Sequence, residues 1–441
     1  MRSSRPFFFA LLLASACTTE AAAPGSSSPV LTIPPTVSVD QGRVARVPLG
    51  LEGATASDVV VTPSEGLTAK VEGAELVVAA SYEAGDKGTV VVEAKGARAE
   101  LGVSVRAIAW KTRFQWKKDE GPIAREHATF FEDDERRVAY MLHGFGYEPY
   151  GQPLGDAFVF DMAKGTWATW TPTGDVPEPA GARRVARAPG SKVHYLYGGA
   201  KKDDKDEGGL YRVDLGNPTK TFTKLAFAGT APTGRSLHAF AFDEKSSRFV
   251  VFGGVSYEAS SMFLGDTWVG KLEGDTVTWS ELKPSVAPTA RYGSFTAFDP
   301  KSRRFVVWSG AQKPKGGDSV NAAQDAWALD MTKDVPEWSA LDLGASPPSG
   351  RRNGCGVFEP ESQRLFVYGG TKDAKVSETG LFALDLSGST PTFTRIEREG
   401  APPLRSSGFG YVDPRTHDVT CGFGNDKSLF TDVNVLGYPE K

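Results

Sequence analysis

The chain has 441 residues, 40% of them hydrophobic and 24% charged, a globular composition on a length beyond one ordinary domain. Its formal charge of −4 at pH 7 argues against nucleic acid as a partner, and its three cysteines are too few for a disulfide scaffold. The 49 glycines and 29 prolines favour short strands and tight turns over helices, so the expected class is all-β.

In chain order, Arg2 and Arg5 precede the apolar run Phe7 to Leu13, and small residues follow. That layout predicts a signal peptide over residues 1–16, with a run too short to span a bilayer. Ala14, Ser15 and Ala16 fit a cleavage site for secretion, while "LASAC" resembles a bacterial lipoprotein box with Cys17 as the lipidated residue, departing from it at Ala14. The low-hydrophobicity stretch 17–29 then reads as a tether, which favours a lipid anchor in a bacterial cell envelope, at the outer membrane or cell surface, over simple secretion. Removing Arg2 and Arg5 leaves 48 basic residues against 54 acidic ones.

Residues 30–108 hold β-type runs such as "DVVVT", "AELVVAA" and "GTVVVEA" between Gly, Pro, Asp and Ser. They predict a small antiparallel sandwich that resembles bacterial immunoglobulin-like modules in length and pattern, without their cysteine pair or tryptophan. Its expected role is spacing or docking.

From residue 109 to 441 one pattern recurs. An apolar run ending in small residues is written six times: "RRVAYMLHGFG", "SKVHYLYGGA", "SRFVVFGGV", "RRFVVWSGA", "QRLFVYGGT" and "HDVTCGFGN". Each follows an arginine, at 125, 183, 235, 291, 351 and 405, and a turn such as "FDPKSRR". A third strand comes next, often led by aspartate, and a fourth led by Trp170, Phe222, Trp279, Trp338 or Phe393. Four strands per unit of about 50 residues, with a diglycine and a later aromatic, resemble the kelch repeat and imply a β-propeller. The last unit stops after its third strand, and the orphan strand "TRFQWKK" with Trp116 precedes the first. A six-bladed kelch-type propeller is therefore expected, closed by the strand around Trp116.

The resemblance places the loops between second and third strands on one face, where binding by rigid scaffolds usually resides. Tyr147, Tyr257 and Phe263 on those loops are candidate ligand-binding residues, as is Arg351 at the start of an innermost strand. The six arginines have two readings: a ring attracting an anion at the channel mouth, or ion pairs with Asp156, Asp266, Asp325 and Asp432 tying neighbouring blades together. Kelch-type propellers include galactose oxidase, a copper enzyme; His127, His238, Tyr292 and Cys355 are the residue types such a site would use, but no spacing motif supports a metal or any other cofactor. His194 and Tyr195 read as packing residues, "KKDDKDEGG" lacks calcium-loop spacing, and no hydrolase, nucleotide or zinc-protease motif occurs. Cys355 and Cys421 are left as either a bridge or two buried thiols. The expected function is binding of a protein or glycan by a monomer that meets the membrane through its lipid anchor. A carbohydrate-active enzyme with its site at the channel mouth is the alternative.

Overall fold

A computed structural model describes residues 28–147, 150–313, 320–372, 375–376 and 380–438. The predicted signal peptide and Cys17 lie outside the described residues. The chain divides into two compact units between Val105 and Arg106. Among the described residues, strands and two short 3-10 turns make up the regular structure, and no helix is long and apolar enough to cross a membrane.

In the first unit, Thr36–Asp40, Ala97–Arg106, Lys87–Ala94 and Val59–Pro63 form one sheet in that order, and Val44–Pro48, Glu75–Ala80 and Leu67–Glu72 form another. Alternating apolar residues turn inward from both: Leu76 and Val78 from the second sheet meet Val90, Val92, Leu101 and Val103 from the first in one core. The result is a β-sandwich.

The second unit holds six sheets of four or five strands, numbered I to VI in chain order. Their first strands are Thr129–Asp133, Arg184–Ala186, Ala239–Asp243, Phe295–Asp299, Cys355–Glu359 and Phe409–Val412. The apolar runs are the second strands, such as Arg248–Val255 and Arg304–Trp308. Phe305, Val306, Val307 and Trp308 are all fully buried, which accounts for the unbroken apolar stretch: both faces of the strand are covered by neighbouring sheets. The first strand of sheet I alternates instead. Thr129, Phe131 and Asp133 are buried, while Phe130 and Glu132 between them are half-buried.

Sheet VI takes its fourth strand from the start of the unit. Ala109–Phe114 pairs antiparallel with Val433–Gly437, so the two ends of the unit share one sheet. The strand stops short of Trp116, and the register corrects the expectation built on that residue. Trp110 lies opposite Leu436, as Phe393 lies opposite Leu384, Trp338 opposite Leu329, Trp279 opposite Gly270 and Phe222 opposite Val213. Trp110 is therefore the recurring aromatic of sheet VI. In sheet I that place belongs to Trp167, opposite Phe160, and not to Trp170. These aromatics pack on the end of the preceding sheet's second strand: Trp338 on Phe252, Phe393 on Trp308 and Trp110 on Tyr368, at centroid distances of 5.2, 5.4 and 5.2 Å.

At the opposite ends of the sheets, a turn side chain from one sheet reaches a buried acid that ends the first strand of the one before. Arg303 reaches Asp243, Gln363 reaches Asp299, His417 reaches Glu359 and Arg137 reaches Asp413, the last joining sheet I to sheet VI. A disulfide between Cys355 and Cys421 links sheets V and VI, with Cα atoms 6.2 Å apart.

Candidate functional site

The recurring arginines are completely buried at 125, 235, 291, 351 and 405. Each donates from Nε to the carbonyl two residues earlier and from Nη1 to the carbonyl 18 residues later, at the small-residue end of the second strand. Four clamp a carboxylate with two bonds: Asp156, Asp266, Asp325 and Asp432. The pairing read from the sequence holds, with one correction: each pair lies within one sheet. Neighbouring sheets are tied by the arginine's backbone carbonyl, which accepts the second glycine N–H of the preceding sheet, as from Gly370 to Arg405 and from Gly424 to Arg125. The first glycine of the pair is required sterically as well: at Gly253 φ is +64° and a Cβ would lie 2.5 Å from the Arg291 carbonyl oxygen.

Arg183 is not the sixth member. In sheet II the glycine bond from Gly144 falls on the Ala180 carbonyl, and Gly181 bridges Ala200 as Ser236 bridges Val255. Ala180 thus fills the arginine's place, and Gly209 stands where the aspartate belongs, one residue before Leu210, which pairs with Tyr197. Arg183 sits three positions on, its Nη1 3.2 Å from Nδ1 of His143 and its Nη2 donating to the Glu178 carbonyl. Burial pushes its guanidinium down to about 10.

Arg351 has Gly380 in place of the aspartate, and its guanidinium lies 5.2 Å over the Phe382 ring. Burial pushes it down to about 10. Full burial removes it from direct ligand contact. The six arginines are all buried and do not form an exposed ring at the channel mouth.

Tyr257 and Phe263 sit on the long-loop face. Ser256 donates its N–H to the Met262 carbonyl and closes the base of their loop. Asp206, from the neighbouring sheet's loop, accepts the Ser256 hydroxyl at 2.9 Å and the Tyr257 N–H at 2.6 Å. Tyr257 is 46% exposed and Met262 51%. Phe263 is half-buried against Tyr292, at 5.3 Å between ring centroids, and Arg352 lies over the Tyr292 ring. The result is an apolar patch on a braced loop. Tyr147 ends a short strand, Phe145–Tyr147; its side chain lies outside the described residues.

The other end of the channel was not legible as a site. First strands from all six sheets wall a cavity of about 450 Å³ there, with Phe130, Phe240, Phe242, Phe298 and Phe358 among its lining.

Sheets bonded in one circuit around a shared channel constitute a propeller's geometry, and known proteins agree. The KLHDC2/KLHL20/DRC7 Kelch-repeats domain matches residues 136–333. Residues 136–333 carry kelch repeats within a β-propeller. Its repeats are similar to Adagio protein 3 of Arabidopsis thaliana, 27% identical over 267 residues that cover 57% of this chain and 40% of that protein. Host cell factor homolog hcf-1 of Caenorhabditis elegans is 28% identical over 153 residues, 31% of this chain and 19% of that one. The chain thus spans less than half the length of these curated relatives. The solved structure of YjhT aligns with a TM-score of 0.50 at 14% identity, covering 71% of this chain and 95% of that one, which speaks to the fold.

Within the propeller, the residues that a galactose-oxidase-like centre would need have other places. Cys355 is bonded to Cys421. His238 is buried beside Tyr197 and Phe240, and burial drives its imidazole well below its ordinary range. Burial likewise pushes His127 down to about 3, helped by the Arg184 charge. Among the described residues no three histidine, cysteine or acidic side chains converge as a metal-binding group.

Proposed function

We propose that this chain is an exported, lipid-anchored interaction protein: a six-bladed kelch propeller, carried by an immunoglobulin-like module, that recognises a protein on its long-loop face. The observation that carries the reading is the braced loop Ser256–Phe263, which offers Tyr257 and Met262 to solvent on a rigid strand pair. Aromatic and thioether side chains held this way contribute contact area at little entropic cost. The strand pairing of the first unit, three strands facing four, supports the immunoglobulin-like reading. A buried disulfide supports export to an oxidising compartment, and Arg2, Arg5, the apolar run and Cys17 support the anchor.

The test is affinity capture from envelope extract with the purified chain as bait, beside a Tyr257→Ala/Phe263→Ala variant. The reading expects one saturable partner that the variant loses. Capture by both proteins alike would reject the loop face, and a glycan bound in place of a protein would change the partner class. Globomycin-sensitive processing before Cys17, with a mass shift from acylation, checks the anchor; an unacylated Cys17 amino terminus would instead mean simple secretion.

A further inference from the structure

The cavity at the turn end of the channel lies away from the long-loop face and is independent of the binding reading above. Its apolar wall includes five phenylalanines, and its rim carries Glu132, Asp134, Glu359 and Glu361 against the Arg187 guanidinium and the His417 imidazole. His417 faces Glu359 at 2.8 Å and Glu361 at 3.6 Å. Arg187 bridges Glu132 and Asp134 at 2.7 Å each, so one positive charge serves two carboxylates whose side chains are only 20% and 17% exposed.

The arrangement is short of positive charge. Asp134 Oδ1 is buried and has no hydrogen-bond partner among the described residues. Burial, with the Asp134 charge added, raises the Glu132 carboxyl in spite of Arg187. His194 lines the cavity, fully buried, with Nδ1 3.3 Å from the Lys192 carbonyl oxygen. With its proton on Nδ1, Nε2 is left as a buried acceptor that meets no donor among the described residues. Buried acceptors and surplus carboxylate beside aromatic rings complement one ligand chemistry: a donor-rich cation on an apolar stem.

We propose that this cavity binds an organic cation, a primary ammonium whose alkyl or aryl stem lies among Phe240, Phe242, Phe298 and Phe358 and whose head group lies beside Asp134 and Glu132. A free amine and the lysine side chain of a partner protein present the same chemistry. A cavity of about 450 Å³ accommodates either.

Titration calorimetry on the whole protein tests it with phenethylamine, its neutral counterpart 2-phenylethanol, and Nα-acetyl-lysine methylamide. Phenethylamine or the blocked lysine should bind at one per chain, with the alcohol about tenfold weaker or worse. Asp134→Asn should weaken the amine about tenfold while Tyr257→Ala/Phe263→Ala, at the other mouth, leaves it unchanged. Preference for phenethylamine assigns the site to a small amine, and preference for the blocked lysine assigns it to a partner's side chain. Equal affinity for amine and alcohol, binding by neither cation, or indifference to Asp134→Asn would each overturn the proposal. Phe298→Leu, a milder change in the apolar wall, supplies the same reading should Asp134→Asn fail to fold.

Discussion

Replacing Arg235 by alanine should destabilise the propeller by about 3 kcal/mol, toward the lower end of what breaking a buried ion pair costs. The side chain is fully buried and donates to the Thr233 and Gly253 carbonyls at 2.9 and 3.0 Å and to both oxygens of Asp266 at 2.7 and 2.8 Å. Burial pushes the Asp266 carboxyl up, and Arg235 together with the Trp268 and backbone N–H donors more than reverses this, leaving it below the ordinary range. Without the guanidinium that carboxylate keeps the Trp268 Nε1 donor at 2.7 Å and a side chain 23% exposed, which limits the loss. Sheet II shows how the same place is built without either charge, with Ala180 and Gly209. The double variant Arg235→Ala/Asp266→Gly should therefore be more stable than Arg235→Ala alone, by about 1 kcal/mol, because no buried carboxylate is left unpaired. Urea unfolding followed by tryptophan fluorescence reports on this unit alone, since all nine tryptophans lie at position 110 or later. A double variant no more stable than the single one would refute the assignment of the cost to an orphaned charge.

Three further outcomes are expected. Cys355→Ser/Cys421→Ser should lower stability by about 4 kcal/mol, from the loop closed across a separation of 66 residues, and the native protein should show no titratable thiol at either position even after unfolding without reductant. His238→Met should gain stability relative to the native chain as pH falls from 6.5, by about 1.4 kcal/mol per pH unit, read from urea midpoints at pH 7.5 and 5.5. The sign follows from the depressed folded-state imidazole: the unfolded chain takes up a proton below pH 6.5 that the folded one refuses, so native stability is present above 6.5 and lost below it. Equal pH slopes would contradict this. Trp110→Ala should cost about 2 kcal/mol for a half-buried ring lying on Tyr368 and speed proteolysis at the carboxyl terminus; unchanged cleavage would argue that the Ala109–Phe114 strand does not depend on that ring.

The sequence carried the repeat well because each sheet's chemistry is written locally: apolar second strand, small residues, aspartate and arginine at fixed spacing. It misled where a local signal was duplicated. The doublet Arg183-Arg184 follows a proline and draws the eye from Ala180, although placing the position at 180 evens the spacing from Arg125 and to Arg235 to 55 residues each. Trp116 and Trp170 drew the same error, each standing near a strand whose register selects another tryptophan. The cavity was invisible for a different reason. Its wall takes a few residues from each of six strands some 55 residues apart, and no window of sequence holds two of those strands. Tyr257 and Phe263 could be placed on one loop from the pattern, but the brace from Asp206 could not, since it comes from the neighbouring repeat.

The pairing of Ala109–Phe114 with Val433–Gly437 sets a timetable for biosynthesis. The first strand of the propeller made by the ribosome finds its partner only when the last has emerged, more than 300 residues later. Until then its edge is unsatisfied, and the other sheets can form pairwise but cannot complete the circuit. Under the export proposed above, that delay would favour translocation, because nothing before the final strands commits the chain to a closed state. The same delay makes the final stretch to Gly437 decide the fate of everything before it: a stop codon there would remove few residues and leave a nearly whole protein open.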